Sequence, residues 1–151
     1  MDNTNNHKNF LEKKKPILNN VKNRLLILSP TVINCLEREY NLNDFTCEGG
    51  KPIGKGGFGE VWKIIEKTTS KLYVVKIIKK ATIIKKKLTN QLNREIEINY
   101  LVSHPHIVKL LNHFEDDDNF YLIMNYASKG QLFAQLRKRG RLDERSAAQV
   151  Q

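Results

Sequence analysis

The distribution of apolar and polar positions divides the chain into a polar N-terminal segment and a longer segment with periodic apolar residues. Residues 1–43 are rich in Asn and Lys, and their apolar residues are scattered until the run Leu25–Leu28. A composition of this kind predicts a largely disordered N-terminal extension. Within it, the stretch Val32–Tyr40 fits a short helix.

From Phe45 onward the pattern predicts β-strands on either side of one helix. The β-branched runs Glu60–Ile65 and Leu72–Ile78 flank a polar turn, which is typical of an antiparallel hairpin. Leu88–Ser103 has helical spacing, and the His-Pro pair that follows it ends the helix.

The C-terminal third predicts a second strand pair and two further helices. Ile107–Phe114 and Asn119–Asn125 are apolar runs around an acidic turn. Ser128–Gly130 then breaks the chain, the stretch QLFAQLRKR predicts a short helix, and Asp143 is a candidate N-cap of a last helix. This order of elements indicates an α+β fold.

The composition narrows the class of protein. The chain has 151 residues and a formal net charge of +10, which raises the hypothesis of a nucleic-acid binder. Its lysines occur in short runs without interleaved aromatic residues, and the chain also contains the acidic run Glu115–Asp118. The lysines are therefore interpreted as solvated faces, and nucleic acid is not expected as a partner.

The location expected from the sequence is cytoplasmic or nuclear, without a membrane partner. No apolar run approaches the ~20 residues that a membrane-spanning helix needs. The N-terminus lacks the basic-then-apolar layout of a signal peptide. Cys35 and Cys47 do not form a CxxC motif, and no His or Cys cluster accompanies them, so two reduced thiols are expected.

The glycine-rich stretch GKGGFGEV, Gly54–Val61, fits three phosphate-binding patterns. A P-loop needs Lys and then Ser or Thr after its last glycine, whereas Glu60 follows Gly59, so this pattern fails. A dinucleotide fingerprint needs a helix after the glycines and an acidic residue about 20 positions further on. A β-branched run follows instead and the acidic residue is missing, so the second pattern also fits poorly.

The third pattern places the glycines in the turn of a hairpin. Gly54, Gly56 and Gly59, followed by Val61, match G-x-G-x-x-G-x-V. Without Cβ atoms, such a backbone can approach a triphosphate closely and offer it N–H groups. Phe58 is expected at the tip as an apolar cap, and Val61 as a wall against a base.

One cation and one anion are predicted to meet beside this turn. Side chains of the strand Leu72–Ile78 alternate between two apolar faces, and Lys76 lies in the middle of one of them. On a helical wheel Glu95 lies at the centre of an apolar face and Glu97 points the other way, towards water. The apolar residues around Glu95 on that wheel are Leu88, Leu92, Ile98 and Val102.

An unpaired charge in apolar surroundings costs several kcal/mol. Lys76 and Glu95 are therefore expected to form an ion pair that holds the ammonium against nucleotide phosphates. The alternative is that Lys76 extends to solvent at an edge and that Glu95 is an ordinary surface charge of its helix.

Taken together, these motifs resemble the protein-kinase superfamily. The resembling segments are IGKGGFGEVW, YVVKII, NREIEINYLVSHPHIVKLLNHFED and FYLIMNYASKGQLFAQLRKRGRLDERSAAQ. The chain is most similar to Aurora kinases, on PIGKGGFGEV, REIEIN with HPHIVKL, and GRLDERSAA, and Polo-like kinases come second. The resemblance implies a kinase N-lobe at 44–124, with a twisted antiparallel five-stranded sheet and helix C. The hinge, helix D and the start of helix E are implied at 125–151.

The resemblance implies a Ser/Thr protein kinase that uses ATP and magnesium. By position, Gly54, Gly56 and Gly59 form the loop over the phosphates. Lys76 contacts the α- and β-phosphates, and Glu95 is its partner on helix C.

The same resemblance implies the residues around the adenine and the ribose. Met124 matches the gatekeeper behind the adenine, and Asn125 and Ala127 match the hinge, whose backbone groups bond the adenine edge. Gln131 falls where many kinases place an acidic ribose contact. The remaining residues of the implied nucleotide site are Ile53, Lys55, Gly57, Phe58, Val61 and Val74.

Three positions depart from the family pattern. Val74 replaces the alanine of V-A-I-K, and its extra methyl groups narrow the adenine pocket. Asn125 replaces a common hinge glutamate at a position that acts through its backbone. Asn99, one turn after Glu95, places an amide where most kinases pack an apolar residue, although Aurora kinases also carry a polar residue there. The alternative for Asn99 is a hydrogen bond within its own helix.

The 151 residues contain no H-R-D-L-x-x-x-N, D-F-G or A-P-E motif, and these motifs supply the base and the magnesium ligands of a kinase. Catalysis by these residues alone is not expected, so the sequence is interpreted as a truncated part of an active kinase. Its implied partners are ATP, a protein substrate and an activator on the N-lobe, and its implied location includes the spindle or centrosome. The alternative is a non-catalytic lobe that binds nucleotide or docks to a partner.

Overall fold

The computed structural model describes residues 40, 42–130, 132–141 and 143–148. The expectations for residues 1–39 and for Gln131 lie outside the described residues.

The described chain forms an antiparallel sheet with two helices between its fourth and fifth strands and two short helices after its last strand. The strands are β1 (Phe45–Cys47), β2 (Gly54–Gly56), β3 (Gly59–Glu66), β4 (Leu72–Lys79), β5 (Leu110–Glu115) and β6 (Asn119–Asn125). The sheet order is β1-β3-β4-β6-β5, and β2 also pairs with β3. The helices are α1 (Lys80–Lys85), α2 (Thr89–Leu101), α3 (Leu132–Arg139) and α4 (Glu144–Ala148), and a 3-10 turn spans Leu42–Asp44.

The first edge strand of the sheet is interrupted. Cys47 of β1 lies opposite Ile64 and Gly54 of β2 lies opposite Val61, so both strands pair with successive parts of the same β3. Residues 48–53 form an excursion between them, and Gly49 there has a φ of 87°, a conformation that favours glycine. The six strands thus occupy five positions, and the predicted five-stranded N-lobe sheet is confirmed.

Each face of the sheet carries its own apolar cluster. The far-face cluster contains Leu42, Phe45, Trp62, Ile64, Tyr73, Val75, Ile77, Tyr121 and Ile123. The helix-face cluster contains Ile78, Ile83, Leu92, Ile96, Tyr100, Leu110, Phe120 and Leu122. The alternation predicted for β4 is correct, because its odd-numbered apolar residues lie in the first cluster and Ile78 lies in the second. Leu42 belongs to the far-face cluster, and Tyr40 packs against it.

Helix α2 covers the helix face of the sheet through a set of residues that only partly matches the predicted one, with Leu92 common to both. Its buried residues are Leu92, Ile96 and Tyr100, whereas Ile98 is 58% exposed. The predicted apolar face around Glu95 is therefore wrong. The wheel centred the apolar face on Glu95 and included Ile98, whereas the sheet covers the side of the helix that carries Ile96 and Tyr100.

The acidic turn between β5 and β6 is built around Asp116. Its Oδ1 accepts hydrogen bonds from the backbone N–H groups of Asp118 (2.9 Å) and Asn119 (2.7 Å). The hydroxyl of Tyr121 donates to Oδ2 of Asp116 at 2.6 Å, and burial, together with this carboxylate, raises the pKa of Tyr121. The acidic run thus has a structural role. Strand β5 begins at Leu110 rather than at the predicted Ile107, which is exposed.

Helix α1 was not predicted from the sequence. Its sequence KATIIK begins within the lysine pair Lys79–Lys80, and Lys79 at the N-cap position makes no side-chain capping hydrogen bond. It ends in a Schellman motif. The backbone N–H of Leu88 donates to the carbonyl of Ile83 and that of Lys87 to Ile84, both at 3.0 Å. Lys87 occupies the left-handed position of this motif, with a φ of 54°, where glycine is usual.

We expect Lys87→Gly to raise the free energy of unfolding by about 0.5–1 kcal/mol, because relief of the left-handed strain exceeds the backbone entropy of the added glycine. Urea-induced unfolding followed by circular dichroism measures the difference. Lys85→Gly is the control and should lower stability by about 0.5 kcal/mol, since it puts glycine at the last helical residue, outside the left-handed position. A lower urea midpoint for Lys87→Gly than for the native chain would contradict the assignment.

The two C-terminal helices lie where the sequence predicted them. Helix α3 covers most of the stretch QLFAQLRKR. Helix α4 begins directly after Asp143, whose carbonyl accepts the N–H of Ala147 at 2.8 Å. None of the helices in the described ranges is both long enough and apolar enough to cross a bilayer.

Candidate nucleotide-binding site

The strand register places the glycine turn beside Lys76. Gly54 lies opposite Val61, and Val61 lies opposite Lys76 on its other side. Two residues further along the hairpin, Gly56 lies opposite Gly59. Directly opposed residues of antiparallel strands point to the same face, and residues two positions apart share it. The turn and the lysine are therefore neighbours on the face that α2 covers.

A further row on the same face extends the site towards the end of β6. Val74, two positions before Lys76, lies opposite Met124. Val74 is buried and Met124 is half-buried, so together they form an apolar floor beside the lysine. Asn125 and Ala127 follow and are exposed. The backbone N–H of Asn125 donates to the carbonyl of Lys109 at 3.1 Å.

Three glycines of the turn are not required by the fold. The φ angles of Gly54, Gly56 and Gly57 lie outside the left-handed region. A Cβ at Gly56 or Gly57 would meet no atom of the described chain within 4 Å, and a Cβ at Gly54 would only touch Val61 at 3.8 Å. Glycine at these positions leaves the backbone N–H groups accessible, as close approach of a phosphate demands.

Gly59 is different, because the fold itself excludes a side chain there. A Cβ at this position would lie 1.8 Å from the carbonyl oxygen of Ile77 on the neighbouring strand. The last glycine of the motif therefore serves the close approach of β3 and β4.

An ion pair joins the two arms of the glycine hairpin. Nζ of Lys55 lies 3.0 Å from Oε1 of Glu60, and the indole N–H of Trp62 donates to Oε2 of Glu60 at 3.2 Å. The hydrogen bond from Lys55 lowers the pKa of Glu60. Phe58 follows at the tip and is 43% exposed, and Ile53, before the hairpin, donates its backbone N–H to the carbonyl of Val61 at 2.8 Å.

Lys76 and Glu95 lie close to each other. Nζ of Lys76 is 3.7 Å from Oε1 of Glu95, with side-chain exposures of 30% and 51%. The expectation of apolar surroundings is wrong for Glu95, which lies at the edge of the interface between α2 and the sheet. Glu97, expected in water, is half-buried. The pair therefore forms at a margin open to solvent, where a ligand can reach the ammonium.

The family comparison identifies the family of this chain. The protein kinase domain model matches residues 47–151. The chain belongs to the protein kinase family.

Aurora kinases are among the relatives of this kinase chain. Aurora kinase B-A of Xenopus laevis is 37% identical over 112 residues, which are 74% of this chain and 30% of that protein. The Aurora kinase of Schizosaccharomyces pombe is 38% identical over 111 residues, 74% of this chain and 31% of that protein. Serine/threonine-protein kinase Aurora-1 of Arabidopsis thaliana is 36% identical over 112 residues, 74% of this chain and 37% of that protein. The predicted resemblance to Aurora kinases is confirmed, and the chain spans about a third of the length of these relatives.

Other charged and polar residues of the kinase chain have local structural partners. The amide Nδ2 of Asn99 donates to the carbonyl of Glu95 at 2.7 Å, so the local alternative for Asn99 holds. Nζ of Lys63 lies 2.8 Å from Oε2 of Glu48 and 4.9 Å from the ring centroid of Tyr126, in the predicted hinge.

Sequence reasoning missed a buried ion pair. Nζ of Lys80 lies 2.7 Å from Oε2 of Glu115, and their side chains are only 9% and 11% exposed. No local signal marks this pair, because Lys80 stands in a lysine run that suggests a solvated surface and its partner is distant in the chain. Cys47 is half-buried with a free thiol, and burial raises its pKa.

Proposed function

We propose that this chain is the ATP-binding part of a Ser/Thr protein kinase similar to the Aurora kinases. The complete kinase would transfer the γ-phosphate of ATP to Ser or Thr residues of a protein substrate. One observation carries the proposal: a lysine and a glutamate 3.7 Å apart stand next to a glycine turn whose side-chain-free positions the fold does not explain.

The order of the rows supports a direction for the bound nucleotide. The adenine would lie between Val61 and Val74, with Met124 behind it and the backbone of Asn125 and Ala127 at its edge. The phosphates would then extend past Val61 and Lys76 towards Gly56 and Gly59.

At the phosphate end, backbone N–H groups of Gly56 and Gly57 would bond the phosphate oxygens. The Lys76 ammonium would neutralise the α- and β-phosphates, and Glu95 would orient that ammonium by its own charge. Ile53, Lys55 and Phe58 would close the site from the hairpin side, and Gln131 would contact the ribose.

Magnesium is the metal that the kinase family implies. In the described ranges no three or more His, Cys, Asp or Glu residues cluster as metal ligands. These residues therefore do not fit a magnesium site, and we assign them no role in holding the metal.

We expect the chain to bind ATP with magnesium in isothermal titration calorimetry. Lys76→Met should weaken this binding by about tenfold or more, because a hydrogen bond to a charged group contributes roughly 1.5–3 kcal/mol. Lys79→Met is the matched control, because Lys79 is exposed on the opposite face of the same strand. Equal affinities of the native chain and Lys76→Met would count against the proposed site.

Two further assays address the complete protein. Transfer of labelled phosphate from ATP to Ser- and Thr-containing peptides tests the activity. Imaging of a fluorescent fusion in dividing cells tests the spindle or centrosome location that the Aurora similarity motivates.

A further inference from the structure

Lys86, which follows α1, lies over the aromatic ring at the tip of the glycine hairpin. Its Nζ is 4.8 Å from the ring centroid of Phe58, within the ~6 Å range in which a cation is attracted to a ring face. The contact joins two elements that are separate in the chain.

The hairpin tip has few other attachments to the rest of the fold. Gly56 and Gly57 offer no side chain, and the space around both Cβ positions is empty of described atoms. The ion pair of Lys55 and Glu60 connects the two arms of the hairpin, and Gly59 pairs with Ile78 of β4. The arms are therefore held, while the tip at Gly57 and Phe58 lies beyond these pairs. Contact with Phe58 supplies an attachment to a different element.

Helix α1 is a suitable anchor because both of its ends are held. At its start, Lys80 forms the buried pair with Glu115, and its backbone N–H donates to the carbonyl of Asp118 at 2.8 Å. At its end, the Schellman bonds of Lys87 and Leu88 fix the backbone around Lys86. Only the Lys86 side chain needs to be ordered for the contact to form.

We propose that Lys86 is a positioning residue that holds the Phe58 tip over the nucleotide site. This role rests on the nucleotide-binding function proposed above. By restraining the tip, Lys86 reduces the freedom that the glycine backbone must lose when it closes on a phosphate. It does so without touching the nucleotide itself.

Hydrogen exchange of the nucleotide-free 151-residue chain tests the contact. We expect Lys86→Met to accelerate exchange of the amides at residues 55–59 by about two- to fivefold, the effect of an exposed cation–π contact. Lys86→Arg keeps a cation and should exchange like the native chain. Lys85→Met is the control, because Lys85 is exposed one residue earlier, whereas Lys87 has a left-handed backbone.

A double-mutant cycle separates the contact from a general effect of charge. Phe58→Leu keeps an apolar tip and removes the ring face, so Lys86→Met should cause no further acceleration in that background. Native exchange rates in Lys86→Met, or the same acceleration with and without Phe58, would overturn the proposal.

Titration with ATP and magnesium tests the consequence for binding. Lys86→Met should weaken affinity by about two- to fivefold, and Lys86→Arg should restore it. Faster exchange with unchanged affinity would overturn the positioning role. If the native chain binds no ATP, the proposed function fails, and with it the positioning role, while the exchange data still report on the contact.

Discussion

Replacing Gly59 with alanine is expected to lower the free energy of unfolding by about 3 kcal/mol, at the upper end of the usual cost of overpacking. The added Cβ would lie 1.8 Å from the carbonyl oxygen of Ile77 and 2.8 Å from its carbonyl carbon. Both are backbone atoms and cannot rotate away. The steric clash can be relieved only if β3 and β4 separate at Gly59 and Ile78, the terminal pair of their register.

Gly56→Ala is the matched control for this prediction. The same methyl group enters open space there, so the change in stability should stay within about 0.5 kcal/mol. Urea-induced unfolding followed by circular dichroism compares the two variants. Gly56→Ala should nevertheless weaken ATP binding if the turn covers phosphates. Equal urea midpoints for Gly59→Ala and the native chain would show that the two strands do not approach as closely as described.

Lys80→Met should cost about 3–5 kcal/mol of stability, because it removes the ammonium that lies 2.7 Å from the buried Glu115 carboxylate. Lys80 also lies 5.4 Å from the ring centroid of Phe120, so the substitution removes a second interaction. The loss should appear as a lower urea midpoint of the whole chain, since the pair joins α1 to the β5–β6 hairpin.

Two variants sharpen the test of this buried pair. Lys80→Met combined with Glu115→Leu should recover much of the loss, because the double variant has an apolar pair in place of the buried carboxylate. Lys76→Met, the same substitution at the more exposed pair, should change stability by less than about 1 kcal/mol. If Lys80→Met and Lys76→Met were equally stable, burial would not distinguish the two pairs.

The sheet was predictable because its signals are local. The alternation of β4 sorts Lys76 and Ile78 onto one face whatever the rest of the chain does. A polar turn between β-branched runs defines the β3–β4 hairpin, and an acidic turn between apolar runs defines the β5–β6 hairpin. The roles of Gly54 and Gly56 could also be predicted locally, because a turn exposes its backbone N–H groups wherever the residue lacks a side chain.

The parts that could not be predicted depend on how the helices and strands pack against one another. The wheel of α2 placed Glu95 among apolar residues, yet no local signal shows that Ile98 faces away from the sheet. Lys80 has the same sequence context as its exposed lysine neighbours. Only the pairing of β4 with β6 brings Glu115 near it, which is a property of the assembled sheet.

The separation of the two clusters has a practical use in experiments on this chain. Trp62 is the only tryptophan in the sequence and lies buried in the far-face cluster, on the side of the sheet opposite Lys76. Its indole emission should therefore shift to longer wavelength when the sheet unfolds. A ligand held beside Lys76 would not stack on this indole, so one optical signal can follow denaturation with or without nucleotide.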